Sequence, residues 1–336
     1  MTATLLPWLQ FLVCGLLIGF AGHKLTRYAG VVSVRTGLPG SWIGLVLLST
    51  ATSLPELFTG ISAVTLFDAP DIAMGDALGS CILNLSLLVA LDALSRDESI
   101  YCRINQSHVL TAGFGIILIG IVGLTILTAG TIVGRTLYHI SAFSPLIVLV
   151  YFVAVRATFM HERRLAITSP TVEEADPLTL RQALVRYAAA AIVVAIAGSL
   201  LPSAGLQIAA ATGWQASFVG TLLVALATSL PELVVIVSAL RRNAADMAIA
   251  ALLGSNLFDI LVIALDDLAY TKGSIFAAVS PANAASALAA VIMNGIFVVA
   301  LLYQPRNRFF GTIGWASLSL VSVYLASVYF SYLYGP

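Results

Sequence analysis

Two glutamates stand where a carboxylate is least comfortable. Glu56 sits inside an apolar run from about Trp42 to Phe67, and Glu232 inside another over 213–240. Each belongs to the same heptad, Ala51-Thr52-Ser53-Leu54-Pro55-Glu56-Leu57 and Ala227-Thr228-Ser229-Leu230-Pro231-Glu232-Leu233. A charge at bilayer depth costs on the order of 3 kcal/mol, so such a residue marks a functional site. Residues three or four apart share a helix face, which groups Thr52 and Ser53 with Glu56, and Thr228 and Ser229 with Glu232. Proline has no N–H, so Pro55 leaves the carbonyl of Ala51 without its helix partner, and Pro231 does the same to Ala227. Downstream, Ser80 lies over Asn84 and Ser255 over Asp259 at helical spacing. Every candidate donor is an oxygen, and no histidine or thiolate joins them at comparable spacing. That donor set selects hard cations, Ca²⁺ and Na⁺ and less readily Mg²⁺, over Zn²⁺ or Cu⁺. Three acids close together repel, which leaves either Na⁺ or H⁺ as the counter-ion.

Positioning such groups takes a membrane scaffold. The chain has 336 residues, 60% hydrophobic and 10% charged, with a mean hydropathy of +1.00. A soluble domain is about 25% charged, so the composition implies a polytopic membrane protein. Net charge is zero, which gives no reason to expect a nucleic-acid partner, and no obligate protein partner or cofactor is implied. The three cysteines, Cys14, Cys81 and Cys102, form neither a disulfide framework nor a metal cluster by spacing. The first apolar run begins near Leu5 with no Lys or Arg before it, as expected of a true span rather than a cleaved leader.

Ten apolar segments are expected, near 5–22, 40–66, 71–93, 108–130, 137–156, 186–203, 213–240, 246–266, 279–303 and 309–332. Fourteen of the sixteen basic residues then fall in loops on one face, leaving only Arg135 and Lys272 on the other. The bias toward cytoplasmic loops places both termini outside, in a cell inner (plasma) membrane. Residues 1–159 form a first five-helix half and 186–336 a second. Between them, 160–185 is a polar cytoplasmic linker carrying Pro170, Glu173, Glu174, Asp176 and Pro177. The second and seventh spans cross in opposite directions. The fold class is therefore an all-α bundle of two inverted repeats, with an ion site expected at the midplane.

The repeat extends beyond the heptads. The first copy runs on through Gly79-Ser80-Cys81-Ile82-Leu83-Asn84 and the second through Gly254-Ser255-Asn256-Leu257-Phe258-Asp259. Paired heptads of this kind, each followed by Gly-Ser-x-x-x-Asn/Asp, resemble the alpha-repeats of the calcium/cation antiporter superfamily, with the prokaryotic sodium/calcium exchangers the nearest pattern. The resemblance implies a secondary transporter, not an enzyme. It implies Glu56 and Glu232 as shared Ca²⁺ and Na⁺ ligands, with Asn84 and Asp259 between them. Thr52, Ser53, Ser80, Thr228, Ser229 and Ser255 would complete flanking Na⁺ sites, and Ala225 would contribute where the first copy has Ser49. The acid at Asp259 is the choice of the sodium-coupled branch; an amide there marks the proton-coupled one.

Departures from the pattern are Cys81 in place of an amide, Leu83 in place of an aromatic, Asp76 in place of Asn, and Ala250-Ala251 in place of Gly-Asn. Asp76, four residues before Ser80, is read either as an interfacial residue or as a cation attractor at the outer mouth. Asp92, Asp266 and Asp267 fall at span ends and are expected to be interfacial, as are the four histidines. The leading expectation is Ca²⁺/Na⁺ antiport by alternating access, with H⁺/Ca²⁺ antiport as the alternative. A cation channel fits two inverted hairpins less well than a carrier does. An intramembrane aspartyl protease is disfavoured, because no Tyr-Asp pair accompanies Met74-Gly75-Asp76.

Overall fold

The structure, a computed structural model, describes residues 2–36, 48–95, 98–129, 136–164, 177–241, 245–305, 308–309 and 313–334. The opening of the second expected span (37–47), most of the expected linker (165–176) and the loop residues Arg96, Arg135, Arg242 and Arg306 lie outside that set.

The first half comprises α1 (Thr2–Thr36), a short α2 (Ser49–Thr52), α3 (Leu54–Leu66), α4 (Pro70–Leu94), a one-turn α5 (Ile100–Arg103), α6 (His108–Thr128) and α7 (Phe143–Arg164). The second comprises α8 (Leu180–Thr212), α9 (Ala216–Val219), a π-helical turn (Gly220–Val224), α10 (Ala225–Thr228), α11 (Leu230–Arg241), α12 (Ala245–Ala269), a one-turn α13 (Ile275–Ala278), α14 (Ala282–Tyr303) and α15 (Trp315–Tyr334). Two small antiparallel hairpins lead into the last helix of each half. In them Thr136–Leu137 pairs with Ile140–Ser141, and Arg308–Phe309 pairs with Ile313–Gly314.

Among the described residues, eight helices are long and apolar enough to span a bilayer. A ninth span is a pair, Ala216–Thr228 and Leu230–Ser238, bent by 43° at Ser229. The second expected span is described from Leu48 onward, and it breaks in the same way at Ser53 before the apolar helix α3.

The long helices α4 and α12 form the centre, with 61% and 83% of their apolar windows buried. They cross antiparallel. At one end Asp71 of α4 accepts hydrogen bonds from Ser280 N (2.8 Å) and Asn283 Nδ2 (2.7 Å), just past the end of α12. At the other, Asp246 of α12 accepts from Asn105 N (2.7 Å), just past the end of α4, and pairs with His108 Nε2 at 3.1 Å. Midway, Asn84 Nδ2 donates to Asn256 Oδ1 at 3.0 Å. Helices α1 and α8 pack together and cover one side of this centre, whereas α6, α7, α14 and α15 cover the other. The outer helices leave large apolar side chains such as Leu16, Phe20, Phe152, Ile196 and Leu325 exposed, as a lipid-facing surface requires. Trp8, Trp214, Phe218 and Tyr332 meet edge-on at ring separations of 5.4–6.3 Å. The start of α1 and the end of α15 therefore lie on one face, the face that also carries the Asp68–Lys272 ion pair (2.6 Å).

Close approach at the centre depends on small residues. A Cβ on Gly79 would lie 2.5 Å from the carbonyl oxygen of Thr221, and one on Gly75 would lie 2.9 Å from that of Ser217. Helix α4 is thus seated directly on the backbone of the π-helical turn.

Asp92 and Asp267, expected at the interface, are instead fully buried and matched to each other by the repeat. Asp92 accepts from Ser99 Oγ and Ile100 N through one oxygen, and from Gly314 N and Ser317 Oγ through the other. Asp267 does the same with Ser274 Oγ and Ile275 N, and with Ser141 N and Ser144 Oγ. Each carboxylate thereby ties the central helix of one half to the last helix of the other. A span-end aspartate satisfied by four donors has no reason to reach for water. Removing one orphans those donors at about 1–3 kcal/mol each. Asp92→Ala and Asp267→Ala are each expected to lower the apparent melting temperature of the detergent-purified protein well beyond Ser317→Ala, which deletes a single bond; equal shifts for all three would refute the tie.

Candidate functional site

The site is built on two helix breaks. Because Pro55 and Pro231 cannot donate back into the preceding turn, each helix stops and restarts, and proline is well accommodated in a helix's first turn. The stopping residues, Ser53 (φ −88°, ψ 11°) and Ser229 (φ −81°, ψ 9°), have nearly the same backbone conformation. Their amides close the last turn onto Ser49 O (2.9 Å) and Ala225 O (3.0 Å). Glu56 and Glu232 therefore occupy the first turns of α3 and α11. The partial positive charge of a helix N-terminus favours a carboxylate there.

Glycines let the neighbouring helices seal the breaks. Gly22 of α1 lies directly against Pro231, and Gly198 of α8 lies against Pro55 and Thr59. Thr59 Oγ1 donates to Gly198 O at 3.2 Å.

Ten of the eleven residues singled out from the sequence carry polar side chains, and all ten of those are at most 2% exposed. Glu56 Oε1 accepts from Ser80 Oγ at 3.3 Å and from Ser229 Oγ at 3.5 Å, and those two hydroxyls are 3.1 Å apart. Thr52 Oγ1 lies 2.9 Å from Ser255 Oγ. Both of these hydroxyls face Glu232, and Ser53 faces Asp259, outside hydrogen-bond geometry in each case. The four carboxylates of Glu56, Asp76, Glu232 and Asp259 stand within electrostatic reach of one another. Among the described residues, no three His, Cys, Asp or Glu side chains converge tightly enough to grip a metal by themselves. Several buried oxygens of this set have no hydrogen-bond donor among the described residues. They are Ser53 Oγ, Glu56 Oε2, Asn84 Oδ1 and both carboxylate oxygens of Glu232 and of Asp259.

The structure thus brings together residues from both repeats, but it redistributes their partners. Thr52 reaches across to the second repeat rather than toward Glu56. Thr228 leaves the glutamates and donates to Asp76 Oδ1 at 2.8 Å. Ala225 offers only its carbonyl, which also accepts from Thr228 Oγ1 at 3.2 Å. Asn84 is held by Asn256, whose own Nδ2 donates to Cys81 O at 3.3 Å. Asn256 was not among the expected site residues. Its signal was present in Gly254-Ser255-Asn256, where the amide takes the position that Cys81 holds in the first copy. Asp76 is not interfacial: it is fully buried, as is Asp266.

The model of the sodium/calcium exchanger protein family matches residues 6–160 and 183–333. The inner membrane protein YrbG of Escherichia coli is 25% identical over 271 residues, covering 76% of this chain and 81% of that protein. An uncharacterized membrane protein of Methanocaldococcus jannaschii is 26% identical over 286 residues, covering 85% of each. Among solved structures, the sodium-calcium exchanger NCX_Mj superposes with a TM-score of 0.61 at 22% identity, covering 97% of this chain and 99% of that one. The H⁺/Ca²⁺ exchanger CAX superposes with a TM-score of 0.69 at 16% identity, covering 98% of this chain and 85% of that one. At these identities the structural matches speak for the fold, while the family match spans both halves and both helix breaks: the chain belongs to the sodium/calcium exchanger family.

Proposed function

We propose that this membrane antiporter exchanges Ca²⁺ for Na⁺ by alternating access, with Glu56 and Glu232 as the carboxylates for which the two ions compete. The observation that carries the reading is the set of buried oxygens without donors at the meeting of the two breaks. Desolvated acceptors are costly unless something positive meets them. Ca²⁺ takes 6–8 oxygens of mixed type in flexible geometry, which suits carboxylates, hydroxyls, the Asn84 amide oxygen and the carbonyls freed by the prolines. Na⁺ uses the same kind of oxygen. In this reading Thr52, Ser53, Ser80, Thr228, Ser229, Ser255 and the carbonyl of Ala225 supply flanking Na⁺ positions.

Competition is what couples the fluxes. An ion bound at Glu56 and Glu232 excludes the other, so one half-cycle carries Ca²⁺ and the return carries Na⁺. The acid at Asp259, the choice of the sodium-coupled branch in the pattern this chain resembles, supports Na⁺ as the counter-ion. H⁺ in place of Na⁺ is the second reading, and the likeness of the fold to the H⁺/Ca²⁺ exchanger CAX is in its favour. The basic-residue bias of the loops supports a topology with both termini outside.

The deciding measurement is ⁴⁵Ca²⁺ uptake into proteoliposomes. Uptake driven by an outward Na⁺ gradient and indifferent to a protonophore is expected; uptake that ignores Na⁺ and collapses with the protonophore would move the assignment to H⁺. Glu56→Gln and Glu232→Gln are each expected to cut exchange by about 100-fold, since a lost ligand charge worth ~3 kcal/mol spans roughly two decades at 1.4 kcal/mol per decade. Near-normal flux in either variant would place the site elsewhere. Asp259→Asn is expected to shift the Na⁺ concentration dependence more than the apparent Ca²⁺ affinity, and an unaltered Na⁺ curve would count against its role.

A further inference from the structure

The two repeats match closely at the centre and differ in a systematic way on either side of it. In register, Ser80 matches Ser255, Asn84 matches Asp259, and Asp92 matches Asp267. The same register sets Asp76 opposite Ala251, and Asp266 opposite Leu91. Because α4 and α12 run antiparallel, Asp76 near the start of one and Asp266 near the end of the other lie on the same side of the centre, toward the Asp68–Lys272 face. On the opposite side the matching positions are the apolar Ala251 and Leu91. Inverted symmetry alone would have given both sides the same residues.

Both acids are fully buried. Asp266 lies seven residues beyond Asp259 on α12, about 10 Å along the axis and back on nearly the same face. It fits against Gly60, where any Cβ would run into its carboxylate, and Gly60 is one turn beyond Glu56 on α3. Asp76 lies one turn from Ser80, a hydrogen-bond donor to Glu56. The carboxylates of Asp76 and Asp266 are within electrostatic reach of each other. One oxygen of Asp76 accepts from Thr228, while among the described residues its second oxygen and both oxygens of Asp266 have no hydrogen-bond partner. Unlike Asp92 and Asp267, these carboxylates hold no structural donors in place beyond that single hydroxyl. A carboxylate buried to this degree without a partner stays charged only when a cation meets it, and otherwise holds a proton.

We propose that Asp76 and Asp266 form a second, one-sided station for a hard cation, the ion passing between it and the cage at Glu56 and Glu232 on the way to the Asp68–Lys272 face. The proposal rests on the exchange reading for the identity of the cage, but the station has its own readout. Equilibrium binding of ⁴⁵Ca²⁺ and, separately, ²²Na⁺ is measured on the full-length protein in lipid nanodiscs. If Ca²⁺ is the occupant, wild type saturates at two Ca²⁺ per chain, Asp266→Asn and Asp76→Asn at one, and Glu56→Gln retains one, which disappears in Glu56→Gln combined with Asp266→Asn. If Na⁺ is the occupant, the same loss of one ion per chain appears in the ²²Na⁺ series, with Ca²⁺ binding unchanged. The substitutions keep side-chain shape, and the melting temperature of each variant verifies folding. The station is refuted if folded Asp266→Asn binds both ions as wild type does, or if it loses all ion binding. Failure of the exchange reading shows differently, as ion binding without Na⁺-driven Ca²⁺ flux.

Discussion

A carboxylate held inside hydrocarbon without a basic partner governs this structure. Glu56, Glu232 and Asp259 are buried to within 2% of completely, and most of their oxygens have no donor. Such groups are tolerated where other oxygens, backbone dipoles and an arriving cation share the cost. The rest of the architecture supplies the oxygens and the dipoles. The proline breaks provide helix N-termini and freed carbonyls, the neighbouring serines and threonines provide hydroxyls, and the central helices keep lipid out. No single half can do this, because each glutamate faces hydroxyls contributed by both repeats.

The halves must therefore be held in register, and the devices that do so are paired across the repeat. Asp92 and Asp267 each bind a turn of their own half and the last helix of the other, using four donors apiece. Two of the four bonds on each carboxylate cross between halves, holding the start of α15 on α4 and the start of α7 on α12. The glycine seating of α4 on the π-helical turn adds a third constraint, because backbone packed on backbone leaves nothing to rearrange.

Much of this was legible in the chain itself. The twin heptads located both breaks, and hydropathy located the eight long apolar helices and the bent ninth span seen among the described residues, because both signals are local: a proline breaks its own helix and an apolar run is read residue by residue. What was not legible depended on which helix meets which. The sequence placed Asp92, Asp266 and Asp267 at span ends, and so they are; that these ends are wrapped by the opposite half is a tertiary fact with no local trace. Thr228 illustrates the same limit. Its spacing puts it over Glu232, yet a carboxylate on a neighbouring helix, Asp76, claims its proton at 2.8 Å. Asn256 was hidden because it stands at a position where its repeat mate is Cys81, so comparing the copies removed the amide instead of drawing attention to it.

The two flanks of the centre differ in the kind of contact they make, and this bears on how a sealed site can open. On the α7 and α15 side the anchors are multiple charge-assisted bonds, which are lost almost entirely with a small displacement. On the α1 and α8 side the breaks are covered by Gly22 against Pro231 and Gly198 against Pro55. Smooth apolar contact of that sort is non-directional, and its energy changes slowly as one surface moves along another. Among the described residues, Thr59 donates to Gly198 of α8 at 3.2 Å, and Gln10 of α1 donates to Leu200 and Ser203 of α8 at 3.1 Å and 2.7 Å, which ties the two covering helices to each other. If the molecule is to expose its buried oxygens to one face and then the other, the cheaper movement is of α1 and α8 over the breaks, with the anchored helices as the frame. The same glycines that seal the site against lipid thus give α1 and α8 a smooth apolar seat over both breaks.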